Sequence, residues 1–154
     1  MKKPETQTSG KSRREFIKNA AIASSFFIVP RHVLGGVGFI SPSDQLNLAA
    51  IGAGGKGKSD IFNASVNGRE RVVALCDVDF SGSAKDSVAQ FPKAKLFADY
   101  RKMLEEMKDI DAVTISTPDH THAIIAHEAM MRNLHVYVQK PLTHTIAAAR
   151  HLTH

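Results

Sequence analysis

Three glycines and one aspartate carry the clearest chemical signal in this chain of 154 residues. Gly52, Gly54 and Gly57 are spaced G-x-G-x-x-G, and Asp77 follows twenty residues after the last of them. Glycines so spaced can wrap a diphosphate. Gly52 allows a tight turn, Gly54 lets backbone approach the phosphates, and Gly57 lets the next helix pack closely on the preceding strand. Gly55 and Lys56 complete the loop, where N–H groups and the helix dipole would face the anion. Asp77 can accept hydrogen bonds from both hydroxyls of an adenosine ribose, and its charge would repel a 2′-phosphate. Val78 and Asp79 follow it, where Arg or Ser would have suited that phosphate. The pattern predicts NAD as cofactor, with NADP disfavoured. The alternative is a strand–helix–strand unit with a glycine turn and no ligand.

The elements that would hold these residues can be read on either side. Leu46–Ile51 is a short apolar run suited to a buried strand, and Val72–Cys76 is a second. Residues 81–91 can form a helix with Ala84, Val88 and Phe91 on one face, stopped by Pro92. Lys95–Ala98 reads as a third strand. Asp99 is placed to cap a helix over Tyr100–Met107 whose Met103, Leu104 and Met107 face the sheet. Ala112–Ser116 is a continuous, β-branched fourth strand, as in a buried parallel sheet. Asp119–Arg132 reads as a helix, His135–Val138 as a fifth strand, and Thr143 as the cap of a last helix. This alternation predicts an α/β doubly wound parallel sheet of the Rossmann type over residues 41–154. Ligands of such sheets bind at the carboxyl ends of the strands. Those ends hold Gly52–Gly57, Asp77, Thr117–His122 and Gln139–Pro141.

Charge and composition separate the amino-terminal part from the rest. Residues 1–45 hold seven Lys or Arg against three acidic residues, whereas the remainder is nearly balanced. The calculated pI of 9.5 therefore reflects the leader more than the body. No basic stripe interleaved with aromatics is present, so nucleic acid is not an expected partner. Residues 1–40 are read as leader and linker. Ser12-Arg13-Arg14-Glu15-Phe16-Ile17-Lys18 precedes an apolar run, Ala20–Val29, and the two together resemble a twin-arginine export signal. That run of ten residues is too short for a membrane span, which needs about 20. The implied partner is the twin-arginine export machinery, and the implied location is the periplasm or another exported compartment. A basic tail with a short hydrophobic helix is the alternative. Cys76, the single cysteine, cannot form an internal disulfide and is expected to be buried.

Taken together, IGAGGKG, ALCDVD, ISTPDHTH and VYVQKPLTHT resemble the glucose–fructose oxidoreductase/inositol dehydrogenase (Gfo/Idh/MocA) family. The resemblance covers most of residues 46–154. It implies a nucleotide-binding domain followed by a mixed α/β domain that shapes a sugar pocket and supports a homo-oligomer. The chain stops inside the helix after the fifth strand, so it is read as a fragment lacking that second domain. Gln139-Lys140-Pro141 stands where the family has Glu-Lys-Pro, so Lys140 inherits the catalytic position beside nicotinamide and substrate hydroxyl. A lysine at a buried strand end can lose its proton more readily and take one from a hydroxyl, or hold an alkoxide by charge. Gln139 can hydrogen-bond the cofactor but brings no charge to Lys140. Standing alone, Lys140 would read as a solvated lysine before a proline. Thr117 and Pro118 resemble the loop along the nicotinamide ribose, with His120 and His122 facing the cofactor or the substrate entrance.

His120, His122 and His127 also raise the question of a metal. On a helix, ligands want i, i+3 or i+4, and neither the i, i+2 nor the i, i+5 spacing here puts two rings on one face. No metal is expected. Three functions stay open at this point. One is an NAD-dependent oxidoreductase acting on a sugar or polyol hydroxyl with tightly held cofactor. Another is a glycoside hydrolase that oxidises, eliminates, hydrates and reduces back with the same cofactor. A third is a nucleotide-binding fragment without turnover.

Overall fold

A computed structural model describes residues 40–66 and 68–153. The residues read as an export signal lie outside that range. Five parallel strands form one sheet in the order β3-β2-β1-β4-β5. They are β1 (Asn47–Ile51), β2 (Arg71–Cys76), β3 (Lys95–Phe97), β4 (Ala112–Ile115) and β5 (His135–Val138). Between them lie α1 (Lys56–Ala64), α2 (Lys85–Gln90), α3 (Tyr100–Glu106) and α4 (His122–Met130), and α5 (Ile146–His151) follows the last strand.

The strand sequences dictate a sheet covered on both faces. Successive side chains of a strand point to opposite sides, and in β1 both sets are apolar and buried. Leu48 and Ala50 join Ile61 of α1 and Leu75 in one cluster. Ala49 and Ile51 join Met103 and Leu104 of α3, Val113, Ile115 and Ile125 of α4 in the other. Helices α1 and α2 therefore cover one face, and α3 and α4 the other. The chain crosses from β3 at one edge to β4 beside β1 through α3, so β1 and β4 diverge in connection at the centre of the sheet. That divergence opens a crevice at their carboxyl ends. The doubly wound α/β sheet predicted from the sequence is the fold observed.

Four helix boundaries differ from expectation, each for a local reason. α2 starts at Lys85 rather than near Ser81, because the Asp79 carboxylate accepts from the N–H groups of Gly82 (2.9 Å) and Ser83 (3.0 Å) and holds a turn there. Residues 119–121 form a 3-10 turn before α4, with Thr121 N–H donating to Pro118 O at 2.9 Å. α4 ends at Met130 because Asn133 takes a left-handed conformation (φ 60). Asn133 N–H then donates to Met130 O and Leu134 N–H to Ala129 O, which satisfies the terminal carbonyls. The cap of α5 is Thr145, whose hydroxyl accepts from Ala148 N–H at 3.1 Å. Thr143, the expected cap, instead donates its hydroxyl to Thr145 O. Asp99 caps α3 as expected, accepting from Arg101 N–H at 2.9 Å.

Candidate functional site

The loop after β1 is shaped by close packing. Gly52 has φ +82, and a Cβ there would lie 2.7 Å from the Ser116 carbonyl carbon at the end of β4. A Cβ on Gly57 would lie 1.8 Å from Gly52 O, so α1 can rest against the end of β1 only through a glycine. Gly54 is tight against Ser83, where a Cβ would come within 2.6 Å of the hydroxyl. Gly55, the residue before α1, has φ +51 with nothing within 4 Å of an added Cβ. The crest of the loop thus faces open space while its flanks press on protein.

That open space is a cleft of about 840 Å³ at the carboxyl ends of the strands. Gly52, Gly54, Gly55, Asp77, Thr117 and Pro118 line it, six of the residues singled out in the sequence. Asp77 Oδ2 accepts from Gly54 N–H at 2.9 Å and Oδ1 accepts from Asp79 N–H at 3.0 Å. The acid is thereby fixed beside the glycine loop, and each oxygen keeps a lone pair for a further donor. A diphosphate at the loop and a ribose at Asp77 suit this arrangement, so the residues present fit a dinucleotide. Cys76, at the strand end just before the acid, is buried, and desolvation together with nearby Asp99 and Asp77 pushes its thiol up to about 12. It packs into the core of the sheet at the floor of the cleft.

The remaining expected site residues fall elsewhere. Gly57 is buried behind the loop, and Lys56 is exposed with its ammonium on Asp60. His120 is exposed on the 3-10 turn and outside the cleft lining. His122, expected to face the cofactor or the substrate entrance, is 1% exposed and serves as a strut between two loops. Its Nδ1 lies 2.7 Å from Pro141 O and its Nε2 lies 2.8 Å from Thr117 O. A neutral imidazole, with one N–H, donates to one of these carbonyls at a time, whereas the cation donates to both. Gln139 is half-buried and turned toward Asp60, and Lys140 is exposed. The burial expected around Lys140 is not supplied by the described residues.

Sequence reasoning missed Ser83, Asp99, Tyr100 and Arg101, which also line the cleft. The rule applied to the other strand ends would have found the last three, since they follow β3. It also missed Asp60, an acid in the middle of a helix that packs on the sheet, whose only signal was its i, i+4 spacing from Lys56. Among the described residues, no group of three His, Cys, Asp or Glu side chains is arranged to hold a metal ion.

Comparison with known proteins agrees with this geometry. Residues 46–154 match the GFO_IDH_MocA family, described as an oxidoreductase family with NAD-binding Rossmann fold. A glycosyl hydrolase family 109 protein of Solibacter usitatus is 31% identical over 153 residues, 88% of this chain and 34% of the relative. An inositol 2-dehydrogenase of an Arthrobacter species is 36% identical over 103 residues, 66% of this chain and 30% of the relative. Among solved structures, the myo-inositol dehydrogenase of Lactobacillus casei in complex with NAD(H) and myo-inositol superposes with a TM-score of 0.63 at 26% identity. That superposition covers 71% of this chain and 32% of the other. The chain spans about a third of the length of the relatives it matches. With the glycine cradle and its acid inside the matched stretch, the chain belongs to the Gfo/Idh/MocA oxidoreductase family and carries its NAD-binding Rossmann domain.

Proposed function

We propose that the protein is an NAD-dependent oxidoreductase acting on a hydroxyl of a sugar or polyol, with residues 41–154 providing the cofactor half of the site. The observation that carries this reading is Asp77 held against the glycine loop in an open cleft, a pairing that serves an adenosine ribose and a diphosphate together. NAD, when bound, accepts a hydride from a carbinol carbon. Lys140 is the residue proposed to hold or take the hydroxyl proton of that carbon. Thr117 and Pro118 line the same cleft and are assigned to the nicotinamide half. Substrate contacts belong to chain beyond these elements, so residues 41–154 by themselves bind nucleotide without turnover. Export through the twin-arginine pathway, read from residues 12–29, belongs to the same proposal. Such a protein would leave the cytoplasm folded and carry its cofactor with it.

The test is a titration of the chain with NADH followed by nicotinamide fluorescence. Asp77→Ala should weaken capture by about tenfold or more, the scale of losing a charged hydrogen-bond partner. It should also narrow the gap between NADH and NADPH. Unchanged NADH affinity in that variant overturns the cofactor assignment. Glycoside hydrolysis with catalytic NAD is the second reading, supported by the family 109 relative, which aligns over 88% of the chain. Release of the aryl group from aryl glycosides by a longer form of the protein, without added acceptor, would decide for it.

A further inference from the structure

Behind the cleft, one carboxylate gathers three elements. Asp60 on α1 is 5% exposed. Its Oδ1 accepts from Lys56 Nζ (2.5 Å) one turn earlier. Its Oδ2 accepts from Ser116 Oγ (2.7 Å) at the end of β4 and from Gln139 Nε2 (2.9 Å) at the end of β5. A buried carboxylate is unfavourable unless donors surround it, and here donors from three directions converge. Burial by itself would raise its pKa, but the bonds from Lys56, Gln139 and Ser116 outweigh burial and hold the carboxyl below its ordinary value. The same glutamine uses its other atom. Gln139 Oε1 accepts from the backbone N–H of Lys140 at 2.9 Å.

We propose that Asp60 is a positioning residue for the Gln139-Lys140-Pro141 segment, acting through Gln139, and that residue 139 is an amide because Asp60 needs a donor there. The argument is one of donor and acceptor inventory. An amide gives a hydrogen to Asp60 and takes one from Lys140 in the same conformation. A glutamate at 139 could take the Lys140 hydrogen but would set a second carboxylate against Asp60. The departure from Glu-Lys-Pro is thus matched by an acid 79 residues away in sequence. The consequence for catalysis rests on the role proposed above for Lys140; the linkage itself does not.

The reversed pair tests it. Asp60→Asn places an amide against the Gln139 amide, and Asp60→Asn with Gln139→Glu restores a donor at 60 and acceptors at 139. Ser116 can turn its hydroxyl to accept. Hydrogen exchange of the Lys140 amide, followed by NMR in the whole chain, reads the linkage directly. Each single variant, Asp60→Asn and Gln139→Glu, should speed that exchange by about tenfold or more, with β1 amides unchanged, and the double variant should return it to within about threefold of the parent. Gln139→Met, which needs no partner, should also speed exchange at Lys140 and keeps the test open if a single variant does not fold. Unaltered Lys140 exchange in the folded single variants, or a double variant no slower than either single, overturns the proposal. NADH titration of the parent is run beside it. If the parent captures no NADH, the dehydrogenase reading fails while the exchange data still decide the Asp60 linkage.

Discussion

At Gly57 one methyl group decides whether the cradle can exist. Its Cβ would lie 1.8 Å from Gly52 O, a backbone atom with no room to give, so Gly57→Ala must push α1 away from β1. Overpacking of this kind costs about 1–3 kcal/mol. The variant should lose NADH capture and melt several degrees lower, both readable in one thermal scan with and without NADH. Gly55→Ala meets open space but strains a backbone at φ +51 and ψ −117, so it should lower stability without pushing α1 away from β1. Asp60 makes a prediction about acid. Its folded pKa lies below the ordinary 3.8, so between the two values the unfolded chain holds more protons. Its contribution to stability is therefore complete above the unfolded value and is lost as pH falls through the folded one. Urea unfolding from pH 6 to pH 2 should show Asp60→Asn with a shallower acid limb than the parent. At this scale the sequence made Gly52, Gly54 and Asp77 legible because their spacing is local. His122 was not legible, because the carbonyls that hold its ring come from Thr117 and from Pro141, nineteen residues on.

The strands differ in how well they are held. β1 is paired on both sides and its residues 48–51 are buried, whereas β5 pairs only with β4 and alternates between exposed and half-buried positions. β3 is three residues long and pairs only with β2. Local opening follows the number of buried contacts. Native-state hydrogen exchange should therefore find β1 and β4 slowest, and β3 and β5 fastest among the strands. Equal protection across all five would contradict the layering described. Runs of apolar residues made β1, β2 and β4 legible, since each carries a buried stretch, whereas β3 and β5 were read from their place in the alternation. Helix starts were harder to read. α2 begins late because the Asp79 carboxylate caps a turn three and four residues on, and α5 is capped by Thr145 because the Thr143 hydroxyl is engaged elsewhere. Both outcomes are competitions between side-chain acceptors that the sequence shows as equals.

For the molecule as a whole, ligand and fold share one balance. A ligand bound only by the folded state stabilises it by about 2.7 kcal/mol at a hundred times its dissociation constant. For a domain of about 100 residues that amounts to roughly 10 °C in the melting midpoint. NADH at saturation should produce such a shift and NADPH at the same concentration a much smaller one, since in the proposed reading the Asp77 charge would repel a 2′-phosphate. An equal shift from both would remove the discrimination assigned to that acid. The global topology was readable from alternation alone, but the ties between distant loops were not, because nothing in a linear chain announces that residue 60 meets residue 139. One further property follows from the way the turn at residues 52–57 is pinned. Gly52 N–H is bonded to Cys76 O, Gly57 N–H to Gly54 O, and Gly54 N–H to the neighbouring carboxylate. A coenzyme docking there as proposed would meet a preorganised seat, and little of its binding energy would be diverted to freezing a wandering loop.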